Sequence, residues 1–174
     1  MRIVVTGSPG TGKSVIAKSL ANKLGLELID IKKIVLAKKL RGRNGEVDLI
    51  RLARTLSFLA RKKDYVAEGH LACETRLPAD FIFVLRARPA ILRKRLAGRR
   101  YGLRKLEENL MAEMLDYCTQ RAVIVYGRKP LELDTSHRTV ASCTIEMEKA
   151  IKQKKKKLDS VDYSGELKKH LKIG

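Results

Sequence analysis

Gly7-Ser8-Pro9-Gly10-Thr11-Gly12-Lys13-Ser14 is the stretch that decides how the chain is read. It fits G-x-x-x-x-G-K-[ST], the pattern of a loop that wraps a phosphate chain. Both flanks agree with it. In front, Arg2-Ile3-Val4-Val5-Thr6 is mostly aliphatic and β-branched, as a buried strand requires. Behind, Lys13 to Leu24 spreads Val15, Ile16, Ala17, Leu20 and Leu24 over an apolar helix face, and Gly25 stops the helix. Glycines let successive backbone N–H groups converge on an anion, and the helix N-terminus adds partial positive charge. In that chemistry Lys13 reaches the β- and γ-phosphates and the Ser14 hydroxyl binds Mg²⁺. A glycine-rich turn without a ligand is the alternative, and three glycines followed by Lys-Ser make it the weaker one.

Outward from this loop, strands and helices alternate. Leu26 to Asp30 reads as a second strand, and Ile31 to Leu40 as a basic amphipathic helix with Ile31, Ile34, Val35 and Leu36 among lysines. Arg41 to Gly45 is a loop by its glycines, and Val47 to Lys62 is a helix with Asp48 near its start, where an acid suits the dipole. Asp64 to His70 reads as a strand ending at an acid and a glycine, and Phe81 to Leu85 is the most strand-like run. Pro89 opens a helix to Arg99, and Leu103 to Gly127 is helical with a break expected near Thr119. Leu131 to Thr135 is a last strand, followed by a helix from Thr139 to about Lys157.

This alternation predicts an α/β fold of the P-loop NTPase kind. Its core is a doubly wound parallel sheet of about five strands, with ligands outside the carboxyl ends of the strands. The domain is expected over residues 1–157. A basic tail over 158–174 carries Leu167 and Leu171 at helical spacing and reads either as a solvated terminus or as an arm touching RNA or a protein.

Length and composition suit one globular domain: 174 residues, 44% hydrophobic. The charge is not average, since 38 Lys+Arg against 19 Asp+Glu leave +19. Such a field favours polyanions: nucleotides, RNA or an acidic surface. A charge-rich, thermophile-like surface is the plainer reading, and two Gln and three Asn fit it. Cys73, Cys118 and Cys143 are far apart, without C-x-x-C or a His pair at ligand spacing, and read as reduced, buried thiols. No apolar run approaches membrane-spanning length, and the first apolar run leads straight into the loop, so a cytoplasmic protein is expected.

A P-loop enzyme needs a carboxylate near Mg²⁺ at the end of a neighbouring strand, and Glu68 stands at such a place. His70, two residues on, is a candidate to orient an attacking water or acceptor, or else a structural histidine. Arg86, Arg88, Arg93, Arg95, Arg99, Arg100 and Arg104 form a basic cluster around Arg100-Tyr101-Gly102. Mobile guanidinium groups neutralise charge on a transferring phosphoryl group, and a closing lid excludes water. Some of these arginines are expected simply to face solvent. An acceptor-binding insertion at about 30–50 and a lid at about 98–108 describe a nucleoside-monophosphate-kinase architecture.

On these residues the chain resembles the adenylate kinase isoenzyme 6 family, also called the coilin-interacting nuclear ATPase family, in an archaeal-looking version. The resemblance runs from residue 1 to about 153. It rests on Gly7 to Ser14, Glu68-Gly69-His70, Phe81 to Arg86, Arg95-Leu96 through Arg99-Arg100-Tyr101, and Lys105-Leu106-Glu107-Glu108-Asn109. It implies that Gly10, Thr11, Gly12, Lys13, Ser14 and Val15 contact ATP, with Arg99 over the nucleotide and Arg138 among the nucleotide-binding residues. Lys13, His70 and Arg99 would be the catalytic set, and Ser14 and Glu68 the Mg²⁺ set. The family's activities are adenylate kinase, ATP + AMP to 2 ADP, and ATP hydrolysis. It acts in small ribosomal subunit maturation, binding a platform ribosomal protein (the eleventh in the universal numbering) near the 3′ end of the small-subunit rRNA.

The chain departs from the family pattern in places. Glu68 stands where Asp is usual, Cys73 takes the place of the last acid in D-x-H-x-x-D with Glu74 one step off, and Arg99-Arg100-Tyr101 replaces Arg-Gly-Tyr. The helix from Ile31 lacks the arginine expected to hold the acceptor phosphate; Lys32, Lys33, Lys38, Lys39, Arg41 or Arg43 could replace it. Three activities stay open: a kinase acting on AMP or another nucleoside monophosphate, an ATP-driven assembly switch, and another small-molecule kinase. A basic ribosomal partner would need an acidic patch, for which Glu107, Glu108, Glu113 and Asp116 are the candidates.

Overall fold

The computed structural model describes residues 1–61, 64–98 and 102–172. Five strands form one sheet in the order β2-β3-β1-β4-β5: β1 Arg2–Gly7, β2 Glu27–Asp30, β3 Tyr65–Glu68, β4 Phe81–Arg86 and β5 Leu131–Asp134. Every pairing is parallel, as the alternating pattern predicts. The helices are α1 Lys13–Leu24, α2 Ile31–Ala37, α3 Leu49–Ala60, α4 Pro89–Ala97, α5 Leu103–Met114, α6 Tyr117–Tyr126, α7 Val140–Lys152 and α8 Ser164–Leu171.

Strand side chains alternate between the faces, so each strand contributes to two cores. Ile3, Val5, Val66, Phe83 and Leu85 pack under α1 and α7, against Ile16, Leu20, Cys143 and Met147. Val4, Ala67, Ile82 and Val84 face α2, α3 and α6, against Val35, Leu52, Leu56, Cys118 and Ala122. A third cluster joins α4 and α5 to the tail through Leu92, Leu96, Leu106, Leu110, Met114 and Tyr163.

The chain leaves β1 at the point where strand order reverses, between β3 and β4. A crevice opens there because consecutive crossovers go to opposite sides of the sheet. The phosphate-binding loop therefore sits in the one place where the topology leaves room for it.

Several boundaries differ from the sequence reading. The strand expected to reach His70 ends at Glu68, and His70–Cys73 form a single 3₁₀ turn. The helical break falls at Leu115–Asp116, where Asp116 has φ +53°, rather than near Thr119. Asp116 is drawn there because its carboxylate is tied to the buried Arg86, a contact invisible locally. The last long helix ends at Lys152, so the lysine run 154–157 lies beyond it, where like charges need not stack on one helix face. The tail is not loose: Tyr163 is buried, Arg86 lies 5.2 Å from its ring centroid, and Val161 and Leu167 pack on the third core. No helix among the described residues is long and apolar enough to cross a membrane.

Candidate active site

Geometry at the loop begins with its glycines. Gly7 has φ +138°, and a Cβ there would lie 2.3 Å from the Leu85 carbonyl oxygen of the neighbouring strand. Gly10 has φ +92°, and a Cβ would meet Leu92 at 2.7 Å. Both positions need a residue without a side chain, for backbone conformation and for space. Lys13 is buried and its Nζ donates to the Ser8 carbonyl at 2.8 Å, so the ammonium is held over the loop. Thr11 closes the same turn, its hydroxyl donating to Ser8 O at 2.9 Å.

At the start of α1 no side chain caps the helix, and its first turn carries no acid. The unpaired N–H groups and the dipole are thus left to an outside anion. Ser14 and Val15 are exposed at this helix start and line the cleft with Gly10, Gly12 and Lys13.

Glu68, the carboxylate expected beside the metal, lines the same cleft as the loop. Glu68 ends β3 in register with Val5 of β1 and Asp30 of β2. Its side chain is buried beside Ser14. Burial pushes its carboxyl above the ordinary value, with Asp30 adding to the rise; the Ser14 contact, Lys13 and Lys32 oppose it. Hydroxyl and carboxylate oxygens side by side are a hard donor set that fits Mg²⁺, which would screen the charge that this burial penalises. Asp30, which also caps α2 by accepting from Lys33 N, is a second carboxylate of this corner that the sequence reading missed. Its place at the end of the neighbouring strand is the signal that could have found it.

His70 lines the same cleft, half-buried. Its Nδ1 lies 3.3 Å from Gly7 O and 3.6 Å from Cys118 Sγ, and its ring stacks on Tyr117 with centroids 6.3 Å apart. The Cys118 contact holds the imidazole pKa above its usual value, and burial opposes this. Glu74, one step from the family's acidic position, accepts from the Tyr117 hydroxyl at 2.5 Å and pairs with Arg121, so it braces α6.

The cleft has a volume of about 550 Å³. Opposite the loop stand Ile31, Lys32, Val35 and Leu36 of α2, then Arg41 and Val47. Of the six basic residues considered for an acceptor phosphate, Lys32 and Arg41 line the cleft. Arg41 is held by a bond to Gly45 O at 2.9 Å. Lys105 and Asn109 of α5 complete the lining.

The arginine cluster divides on inspection. Arg86 is 1% exposed and tied to Glu113, Asp116 and Glu132, a structural hub far from any lid role. Arg93 pairs with Glu107 and Arg104 with Glu108. Arg95 turns behind the loop, donating to Thr135 O at 2.7 Å and Thr135 Oγ1 at 3.0 Å, while Thr135 Oγ1 lies 2.9 Å from Thr11 O. Thr135 was not anticipated; its part comes from the end of β5 lying beside the loop. Arg99, Arg100 and Tyr101 lie outside the described residues. Arg138, expected at the nucleotide, pairs with Asp159 of the tail and donates to Asp134 O at 3.1 Å.

The acids expected to form a patch on one helix are divided between the interior and the surface, where Glu107 and Glu108 stay accessible. Glu113 is buried against Arg86, Asp116 binds the same guanidinium, and Glu107 and Glu108 are paired with arginines. Glu113 and Asp116 are committed to the buried Arg86 and could not serve an outside partner without breaking that contact.

This fold and its loop define an α/β protein of the P-loop class. The A. baumannii shikimate kinase in complex with shikimate matches with a TM-score of 0.68 at 18% identity, covering 88% of this chain and 94% of that one. The Bacteroides thetaiotaomicron shikimate kinase matches at 0.63 and 17%, covering 87% and 98%. At such identities the likeness is one of fold. A family model described as "AAA domain" matches residues 3–116. A Methanocaldococcus jannaschii protein named "Putative adenylate kinase" is 36% identical, covering 94% of this chain and 93% of its own. Namesakes from Thermococcus kodakarensis and Archaeoglobus fulgidus are 35% and 34% identical; the shares covered are 94% and 93% for the first, 96% and 94% for the second. The chain belongs to this AAA-domain family and, within it, groups with these archaeal proteins.

Proposed function

We propose that the protein is a nucleoside monophosphate kinase that moves the γ-phosphoryl group of Mg²⁺–ATP to AMP, giving two ADP. The observation that carries this is the pairing of two walls in one cleft. The Gly7–Ser14 loop with Lys13, Ser14 and Glu68 faces a second wall bearing Lys32 and Arg41. The name borne by the archaeal relatives supports AMP as the acceptor. Transfer needs donor and acceptor positioned together and charge stabilised on the moving group, with little covalent chemistry from the protein. Lys13 supplies the fixed charge at the donor phosphates. Ser14 and Glu68 would hold Mg²⁺, which would supply positive charge against the donor phosphates. Arg99 belongs to this reading as a cation closing over the nucleotide, and Arg138 as a residue flanking it.

A second reading, ATP hydrolysis driving an assembly step, is favoured by His70, which lines the cleft beside Gly7 and can orient a water. The ribosomal protein and rRNA partners rest on the family resemblance and on the net charge of +19. The test is ADP production from ATP alone and with AMP, GMP, CMP, UMP or shikimate added. The kinase reading expects AMP to accelerate ATP consumption and yield two ADP per ATP used. ADP formation that AMP leaves unchanged overturns it in favour of hydrolysis, and acceleration by another acceptor alone moves the specificity.

A further inference from the structure

Behind the cleft, three soft donors converge from two elements. A ring nitrogen of His70 and the Sγ atoms of Cys73 and Cys118 all lie within 4.8 Å of one another, with both cysteines buried. His70 and Cys73 open and close the single 3₁₀ turn after β3, where residues three apart eclipse and so share a side. Cys118 comes from the second position of α6, whose start is set by the Asp116 break. The His70–Cys118 separation suits a tetrahedral ion, and a cation would draw Cys73 in from within 4.8 Å. With metal–sulfur and metal–nitrogen bonds of about 2.3 and 2.0–2.1 Å, adjacent N and S donors stand about 3.6 Å apart and two sulfurs about 3.8 Å. The observed Nδ1–Sγ separation to Cys118 is 3.6 Å.

We propose that His70, Cys73 and Cys118 form a binding site for a thiophilic divalent cation of the zinc class, separate from the Mg²⁺ site at Ser14 and Glu68. Thiolate and imidazole select such an ion over Mg²⁺, which takes oxygen ligands. Binding is an exchange: the two thiols lose their protons to water, the ring proton sits on Nε2, and the cation takes Nδ1 and both sulfurs. Three protein donors leave one tetrahedral position for a water or an anion. The bond from Cys73 Sγ to His70 O at 3.1 Å is given up in this exchange, and the contact of Nδ1 with Gly7 O no longer carries a proton. The ion thereby joins the turn after β3 to α6, and it fixes His70 to present an Nε2–H donor, rather than an acceptor, where the ring lines the cleft.

The site is tested on the reduced full-length protein with Co²⁺ as the probe and no nucleotide present, so that the outcome does not depend on kinase activity. Expected is one Co²⁺ per chain, with a thiolate-to-cobalt charge-transfer band, visible bands of tetrahedral strength, and displacement by Zn²⁺ but not by Mg²⁺. Cys73→Ser and Cys118→Ser each abolish or greatly weaken the charge-transfer band, whereas Cys143→Ser, whose thiol lies in the other core, keeps it. Wild-type protein that shows no such band overturns the proposal whatever the variants do. So does a band that survives Cys73→Ser or is lost with Cys143→Ser. Loss of two of the three free thiols to a Cys73–Cys118 disulfide on mild oxidation, with no cobalt uptake by the reduced form, identifies a redox pair instead and also overturns it.

Discussion

The loop wall of the cleft and the α2 wall facing it are held by different means. Around the loop nearly every contact is backbone or buried: Gly7 against Leu85, Lys13 on Ser8, Arg95 and Thr135 behind Gly10 and Thr11. Across the cleft Lys32 and Arg41 stand exposed on a short helix and the loop after it, fastened by the Asp30 cap at one end and by the Arg41–Val47 bridge and the Arg41–Gly45 bond at the other. A site that grips a phosphate chain by backbone N–H groups has to be built rigidly beforehand. A wall that accepts a second substrate and then closes benefits from few ties. On the proposed function, the loop wall is the pre-organised half, and Lys32 and Arg41 belong to the half that receives the acceptor.

That contrast breaks most sharply at Lys13. Lys13→Ala should lower ADP formation about 10²-fold or more, since a fixed charge at the reacting phosphates is removed; steady-state assays with and without AMP check it. Gly7→Ala should come next. The strained φ and the clash with Leu85 O should cost about 1–3 kcal/mol in urea unfolding and lose ATP binding with it. Arg95→Ala tests the support from behind. It leaves the Thr135 carbonyl without its guanidinium and should lower stability by about 1–2 kcal/mol, with weaker ATP binding and an unchanged KM for AMP. Arg41→Ala sharpens the other side, raising KM for AMP roughly tenfold and leaving ATP affinity alone.

The smallest effect concerns the tail. Burial alone would raise the Asp159 carboxyl, but the bonds from Arg138 and from Asp134 N hold it below its ordinary range. A depressed acid contributes stability that is present above its unfolded pKa and is lost as pH falls through the folded one. Hydrogen exchange in the tail should therefore speed up in acid before the sheet opens, and Asp159→Asn should remove that pH dependence.

What could be read from sequence follows from how far apart the participants lie. Gly7 to Ser14 is a continuous run whose spacing is its geometry, and Glu68 is marked by the strand that ends on it. The parallel sheet follows from the β-α alternation. By contrast, Arg95 reaches the loop across 85 positions and Thr135 across 124. The arginine-rich stretch could not disclose that Arg86 is a buried hub rather than a lid residue, because its three acids lie 27 to 46 positions away. The same holds for Cys73 and Cys118: their sequence spacing matches no ligand pattern, and only the one-turn helix after β3 and the start of α6 bring them to His70. The tail misleads by composition, since its lysines hide Tyr163 and Leu167, which pack inward.

The most direct test of a cleft that holds two nucleotides at once is the binding of two adenosines joined through five phosphates, measured by calorimetry against ATP and AMP singly. The account predicts affinity at least about 10²-fold beyond either nucleotide, as linkage of two sites gives. That gain should fall to the level of ATP alone in Arg41→Ala and vanish in Lys13→Ala. Binding of the joined ligand no tighter than ATP to the wild-type protein would contradict it.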